Sequence, residues 1–405
     1  MDKKIKIGII KETKIPIDRR VVFPPVLAKR LNDEYDNIEV KVQKSDIRAF
    51  KDEEYEELGL PVVDDVSDCD VLFGVKEVKI EALIPNKTYF FFSHTAKKQE
   101  YNKPLLKAVI EKGITLIDHE YLTDKNGIRL VAFGYWAGIV GAYNGMRAWG
   151  LKTGQFDIPP AHTFHDKKEM FEHINKLDLS PIKIVITGGG RVATGASETL
   201  KAFGIKEVIP EDFLTREYDY PVFTKLDPCH YVRHKDGKEF DLKYFFTHPD
   251  EFVSTFEAYT RTADMYVAAH FWDPRSPKFF TPEQTKNPEF KIKVVADISC
   301  DVDNAPVGTT LRASTIDDPF YDFNPETGKE EPAFSSDKNI TVMAVDNLPG
   351  ELPRDASMSF GEAMLEKVIP SLAGEDKDGI IERATIVKNG KLTERFSYLE
   401  DWVNS

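Results

Sequence analysis

Short apolar runs rich in β-branched residues recur along the chain, and each stops at a polar or glycine-bearing segment. In the first third they are Ile5–Ile10, Ile38–Val42, Val71–Val75, Thr88–Phe92 and Ile114–Ile117. Runs of this length read as strands, and the alternation within Ile38–Val42 marks one face as solvated. Between them lie stretches with helical spacing. Pro24–Tyr35 puts Leu27 and Leu31 on one face, Asp52–Leu58 is short and acidic, and Lys97–Lys112 carries Leu105, Leu106, Val109 and Ile110. Strand and helix in alternation predict a largely parallel sheet with helices on its faces.

Phe133–Gly150 predicts an apolar helix laced with glycine. Its apolar stretch, Val131–Met146, holds four glycines and ends at Arg147, too short for a membrane span and suited to a buried helix. A polar connection, Pro159–Leu179, leads to K-I-V-I-T-G-G-G-R-V-A-T-G at 183–195. Here the run Ile184–Ile186 stops at three glycines and a helical segment, Ala196–Phe203, follows. Gly188-x-Gly190-x-x-Ala193 fits a dinucleotide-binding turn. The first glycine permits the turn, the second lets backbone approach a pyrophosphate, and a small third residue lets helix pack on strand. The helix start supplies free N–H groups to the phosphates. A second strand, Glu207–Ile209, is expected to end at Pro210. That sets Glu211 and Asp212 where an acid can hold the ribose hydroxyls.

Beyond lies a divergent region, Thr215–Pro288, rich in aromatics and long for a plain nucleotide-binding unit. Strands are expected at Asp264–Ala269, Val294–Ile298 and Ile340–Val345. Ser359–Leu372 predicts a helix that Pro370 kinks or ends. Asn389-Gly390 between two alternating runs predicts a hairpin.

Composition narrows the function. A chain of 405 residues suggests two or three domains, and 41% hydrophobic with 30% charged residues is ordinary for a soluble protein. The net charge of −14 argues against nucleic acid or an anionic membrane as partner. Cys69, Cys229 and Cys300 form no C-x-x-C pair and suit a reducing compartment. With no apolar export segment at Met1, a cytoplasmic location is expected. His162 and His165 have metal-like spacing, but no further ligand set accompanies them, and no metal is expected.

Polar residues recur at the predicted strand ends, where ligands bind in open α/β sheets. Lys76 follows V-L-F-G-V, His94 follows F-F-F-S, Arg129 opens R-L-V-A-F-G, and Asp346 follows V-M-A-V. Lys14 and Arg20 lie in the loop after the first strand. Each alone has an ordinary structural reading, such as a lysine reaching for water. Together, Lys14, Arg20, Lys97 and Arg129 gather positive charge in an acidic chain and favour a small-molecule substrate with several carboxylates. A lysine and a histidine facing one site can tune each other. Burial and like charge bring the lysine's pKa down to where it serves as a base. That pair beside a nicotinamide suits oxidation of an amine to an imine, followed by hydrolysis.

The motifs resemble those of the lysine-forming saccharopine dehydrogenase group, within the alanine dehydrogenase and transhydrogenase superfamily. They are K-E-T-K at 11–14 with D-R-R-V at 18–21, G-V-K-E at 74–77, F-F-S-H-T-A-K-K-Q at 91–99, R-L-V-A-F-G-Y-W-A-G at 129–138, A-D-I-S-C-D at 296–301 and V-D-N-L-P-G-E-L-P-R-D-A-S at 345–357. T-H-P-D-E-F at 247–252 is closer to the lysine–ketoglutarate reductase domain of bifunctional lysine-degrading enzymes.

This resemblance implies an α/β fold of two Rossmann-like domains with parallel sheets and an interdomain active-site cleft. Residues 1–134 plus 348–405 would bind substrate, and residues 135–347, with an insertion at about 215–288, would bind NAD(P). It implies Lys76 as the base that activates water and His94 as the acid–base group at the bridging nitrogen. Lys14, Arg20, Lys97 and Arg129 would bind carboxylates, with Phe133 near the substrate and Glu120 tuning the site's charge. Gly188, Gly190, Arg191 and Asp346 would line the nucleotide. Two departures stand out. Ala193 replaces the third glycine, and Pro210-Glu211-Asp212 replaces a plain strand-end aspartate. Glu211 would repel a 2′-phosphate, which favours NAD, whereas the reductase relatives use NADP. The implied activity is NAD(P)-dependent oxidation of saccharopine to lysine and 2-oxoglutarate, or the reverse. Another opine or amino-acid dehydrogenase, such as alanine dehydrogenase, and a non-catalytic nucleotide-binding regulator remain alternatives. The oligomeric state is open.

Overall fold

A computed structural model describes residues 4–405. It divides into two units, one of residues up to Phe133 with Pro353–Ser405, the other Gly134–Leu352. Each is built on an eight-stranded, largely parallel sheet.

In the first unit the strands are β1 (Ile5–Ile9), β2 (Ile38–Gln43), β3 (Val62–Val63), β4 (Val71–Phe73), β5 (Thr88–Phe91) and β6 (Thr115–Asp118). They lie in the order β3-β2-β1-β4-β5-β6, all parallel, and a C-terminal hairpin of Thr385–Lys388 and Lys391–Leu392 pairs antiparallel on β6. Asn389 and Gly390 turn that hairpin with φ of 49° and 74°, the left-handed pair that a two-residue turn needs. The predicted helix at 97–112 is shorter. Its α-helix spans Lys103–Glu111, because Pro104 lacks an N–H and belongs in a first turn. Lys97 therefore stands in the loop before it. The terminal helix runs Pro353–Lys367, and Pro370 opens a separate short helix, Ile369–Ala373.

In the second unit, β7 (Lys183–Thr187), β8 (Lys206–Glu207), β9 (Val222–Leu226), β10 (Met265–Ala268), β11 (Val294–Asp297), β12 (Phe320–Asn324), β13 (Lys329–Glu331) and β14 (Ile340–Met343) form the sheet. The order is β13-β12-β14-β11-β10-β7-β9-β8, with the β12–β13 and β12–β14 pairings antiparallel. β10, β11 and β14 are buried at every position, as expected of central strands covered on both faces. Two expectations change here. The second strand is only Lys206–Glu207, at the sheet edge, and Glu211 begins the helix Pro210–Thr215 that Pro210 starts. The polar connection 159–179 contains a helix, Lys167–Ile174, capped by the Asp166 carboxylate on Glu169 N–H.

The glycine-laced helix is Gly134–Thr153, and its glycines have packing causes. A Cβ on Gly138 would lie 1.9 Å from the Val192 carbonyl oxygen of the fingerprint helix, Arg191–Ala202. A Cβ on Gly195 would lie 2.1 Å from the Tyr135 carbonyl oxygen, so the two helices meet backbone to backbone. Gly138→Ala is expected to destabilise the protein by about 1–3 kcal/mol or more, since a backbone atom cannot step aside as a side chain can. Urea unfolding would measure it, and an unchanged midpoint would contradict the packing. Among the described residues, no helix is long and apolar enough to cross a membrane.

Candidate functional site

The carboxyl ends of β1, β4, β5 and β6 bring one charged cluster together in the first unit. Lys76 lies three residues past β4, half-buried. Its own backbone is fixed by Glu12, whose two carboxylate oxygens accept from Val75 N–H at 2.6 Å and Lys76 N–H at 2.9 Å. Burial, then the charges of Arg20 and Lys14, lower the Lys76 pKa to about 8. Burial and the nearby Asp18 carboxylate raise the Glu12 pKa to about 8.

His94 follows β5 with φ of 53°, an uncommon backbone for a residue with a side chain. Its flanks are held by Asp118 at the end of β6. Asp118 Oδ2 accepts from Ser93 N–H at 3.0 Å and from the Ser93 hydroxyl at 2.5 Å, while Oδ1 accepts from Glu120 N–H at 2.8 Å. One buried carboxylate thus positions both the His94 and the Glu120 loops.

Glu77 connects the two candidate acid–base residues' surroundings. Its Oε1 lies 2.7 Å from His94 Nδ1 and its Oε2 2.8 Å from Lys14 Nζ. Burial would raise the Glu77 carboxyl, but His94 and Lys14 outweigh it and hold it at about 2. Glu120 pairs with Lys97 at 2.9 Å and with Arg129. Burial opposes ionisation there too, and Lys97 and Arg129 hold the carboxyl below its usual range.

Of the four cations expected to bind carboxylates, Arg20 stands apart. Arg20 is buried in a two-pronged pair with Asp18, Nε to Oδ1 at 3.0 Å and Nη2 to Oδ2 at 2.6 Å, with side-chain exposures of 2% and 1%. Its guanidinium lies 4.3 Å above the Phe133 ring, which stacks at 4.5 Å on Phe360. Arg20 therefore shapes the site's charge and its Phe133 wall. The exposed cations are Lys97 and Arg129, at 53% and 49%, with Lys14 at 30%. Sequence reasoning did not single out Glu12, Asp18, Glu77 and Asp118. The available signal was an acid adjacent to, or two residues from, a singled-out base: Glu77 beside Lys76, Asp18 before Arg20.

In the second unit the glycine turn follows β7. Gly188 has φ of 117°, and a Cβ there would lie 2.4 Å from the Ala269 carbonyl oxygen. Gly190 caps the helix Arg191–Ala202, and a Cβ on it would meet nothing within 4 Å. Ala193 is fully buried on the helix's inner side, whereas Arg191 is exposed at its first position. A tight glycine turn opening onto an uncovered helix start fits a dinucleotide pyrophosphate. Asp346 is exposed in the loop past β14, its N–H donating to the Ser314 carbonyl at 3.3 Å. Glu211 is exposed beyond the edge strand β8, outside β9.

Residues 8–140 match the model of the alanine dehydrogenase/PNT N-terminal domain. An alpha-aminoadipic semialdehyde synthase of Arabidopsis thaliana is 29% identical over 442 residues, covering 97% of this chain and 41% of its own. A saccharopine dehydrogenase (NAD(+), L-lysine-forming) of Schizosaccharomyces pombe is 29% identical, covering 89% of this chain and 90% of its own. A solved L-alanine dehydrogenase has the same fold, with a TM-score of 0.66 at 17% identity, covering 98% of this chain and 99% of that one. The chain is thus similar to the alanine dehydrogenase/PNT N-terminal domain in its first third, and to saccharopine dehydrogenases and semialdehyde synthases along most of its length. Its similarity to the lysine-forming saccharopine dehydrogenases extends along about nine-tenths of its length. The chain spans only about two-fifths of the semialdehyde synthases it matches.

Proposed function

We propose that the protein is an NAD(P)-dependent dehydrogenase that oxidises a secondary amine of the saccharopine type to lysine and 2-oxoglutarate, or runs the reverse condensation. The observation that carries this reading is Lys76, a lysine half-buried at a strand end with its pKa lowered to about 8, in one charge network with His94. Such a lysine serves as a base near neutral pH. The nicotinamide, when bound, supplies the hydride acceptor or donor. Gly188, Gly190, Arg191, Ala193 and Asp346 would hold the nucleotide.

On this reading neutral Lys76 takes a proton from water as the oxygen attacks the imine carbon. His94 gives its proton to the bridging nitrogen as the carbon–nitrogen bond breaks. Glu77, on His94 Nδ1, orients the ring. Lys97 and Arg129 meet substrate carboxylates, with Glu120 limiting their combined charge. Lys14 and Arg20 lower the Lys76 pKa. The three cysteines are unbonded, which fits a reducing compartment, the cytoplasm in this reading.

The test is nicotinamide absorbance with lysine and 2-oxoglutarate, run separately with NADH and NADPH. Oxidation that needs both substrates, and exceeds that with ammonium and pyruvate, is expected. Turnover with ammonium and pyruvate alone would instead assign an alanine dehydrogenase.

A further inference from the structure

His119, the residue after β6, is fully buried and takes no part in the charge network of Lys76, His94 and Glu120. Its Nε2 lies 2.9 Å from the Gly74 carbonyl oxygen, just past the end of β4. β5 runs between those two strands, so the ring reaches across it. It packs edge-on against Phe92, just past β5, at 5.1 Å, and against Phe360 at 5.2 Å. A carbonyl only accepts, so Nε2 carries the hydrogen and donates. Burial lowers the His119 pKa to about 4, which favours the neutral ring. Nδ1 is then a bare acceptor, buried with no hydrogen-bond partner among the described residues. An orphaned acceptor destabilises a core, so the polar use of this side chain is its bond to Gly74.

Gly74 precedes Lys76 by two residues and Glu77 by three. A Cβ on Gly74 would lie 3.0 Å from Ile10 Cδ1 and 3.5 Å from Glu12 Oε1, so one side of it rests on the chain leaving β1. Glu12 takes the next two N–H groups, those of Val75 and Lys76. The Val75 carbonyl accepts from Phe92 N–H at 3.0 Å. The segment before Lys76 is thus held by Glu12 after β1, by the end of β5 and by His119 after β6. His119 also stands directly before Glu120, the partner of Lys97 and Arg129. Its bond to Gly74 is a spacer two strands wide, roughly 10 Å at ordinary sheet spacing, between the loop of Lys76 and Glu77 and the loop of Glu120.

We propose that His119 is a positioning residue for the reaction: by donating to the Gly74 carbonyl it sets Lys76 in register with the groups around Glu120. Being buried, it acts through the backbone. The proposal rests on the role of Lys76 in the proposed function, whereas the hold on the segment 74–77 can be read without turnover.

The experiment compares His119→Phe and His119→Gln with the wild type, in the full chain. Phenylalanine keeps a ring between Phe92 and Phe360 and removes the donor. Glutamine loses the ring but carries an amide N–H at about the reach of Nε2. One readout is amide hydrogen exchange of the peptide covering 74–77, and the other is kcat and KM with lysine, 2-oxoglutarate and reduced nicotinamide. In His119→Phe, exchange at 74–77 is expected to rise about fivefold or more as the segment loosens. Its kcat should fall about 10–100-fold, the effect of a misplaced catalytic group, with KM and NADH affinity within about threefold. His119→Gln should keep both readouts within about threefold of the wild type, because the donor is restored. A ring that served packing alone would give the reverse order, with phenylalanine benign and glutamine damaging. That order, unmoved exchange in His119→Phe, or faster exchange with unchanged kcat overturns the proposal. A wild type that turns over no amine would defeat the substrate reading by itself, and the exchange order would then decide whether His119 holds the Lys76 segment.

Discussion

Replacing Lys76 by methionine is expected to lower turnover by about 10²–10⁴-fold while leaving NADH affinity within twofold. The size is that of a positioned general base. Methionine keeps most of the side-chain volume, and the loop's geometry depends on the Lys76 and Val75 N–H groups bonding to Glu12 rather than on the ammonium. On the proposed function the same residue sets the pH dependence. Only neutral Lys76 accepts a proton, so amine oxidation should rise with pH and level off above about 8, and the rising limb should vanish in Lys76→Met. Lys14→Ala removes a like charge that lowers the Lys76 pKa, so its rising limb should move to higher pH. Steady-state rates between about pH 6 and 10, with nucleotide titration alongside, check this. A methionine variant with wild-type turnover would remove Lys76 from the chemistry.

Much of the fold was legible because its signals are local. The strands of the first unit are apolar runs with abrupt ends. The Asn389-Gly390 hairpin requires left-handed residues that few others supply, and the three glycines at 188–190 meet a strand on one side and a helix on the other. What was not legible depends on neighbours distant in the chain. V-F-T-K-L at 222–226 is a modest strand inside an irregular region, and nothing in its letters says that it lies beside β7. Charge was misread for a similar reason. The letters announce Arg20 as a cation, but only the fold shows it buried with Asp18 two residues before. His94 was legible as a strand-end histidine; its left-handed backbone was not.

The Asp18–Arg20 pair carries the second large effect. Asp18→Asn is expected to cost roughly 3–5 kcal/mol of stability, because it leaves the Arg20 guanidinium buried without its countercharge. Burial alone would raise the Asp18 carboxyl, but the charge and hydrogen bonds of Arg20 outweigh it and hold the group well below its ordinary value. A depressed carboxylate contributes stability above the unfolded pKa, near 4, and loses it as the pH falls toward the folded one. Wild-type stability should therefore decline below about pH 4 more steeply than that of Asp18→Asn. The double variant Asp18→Leu with Arg20→Met should recover most of the loss, since apolar replacement of a buried pair is often neutral. Urea unfolding at several pH values separates these cases. Function supplies an independent sign. The Asp18 charge raises the Lys76 pKa and Lys14 lowers it, so the rate–pH limb should move to lower pH in Asp18→Asn and to higher pH in Lys14→Ala. A purely structural pair would leave both limbs in place, whereas opposite shifts would show Asp18, Arg20 and Lys14 acting together on one base.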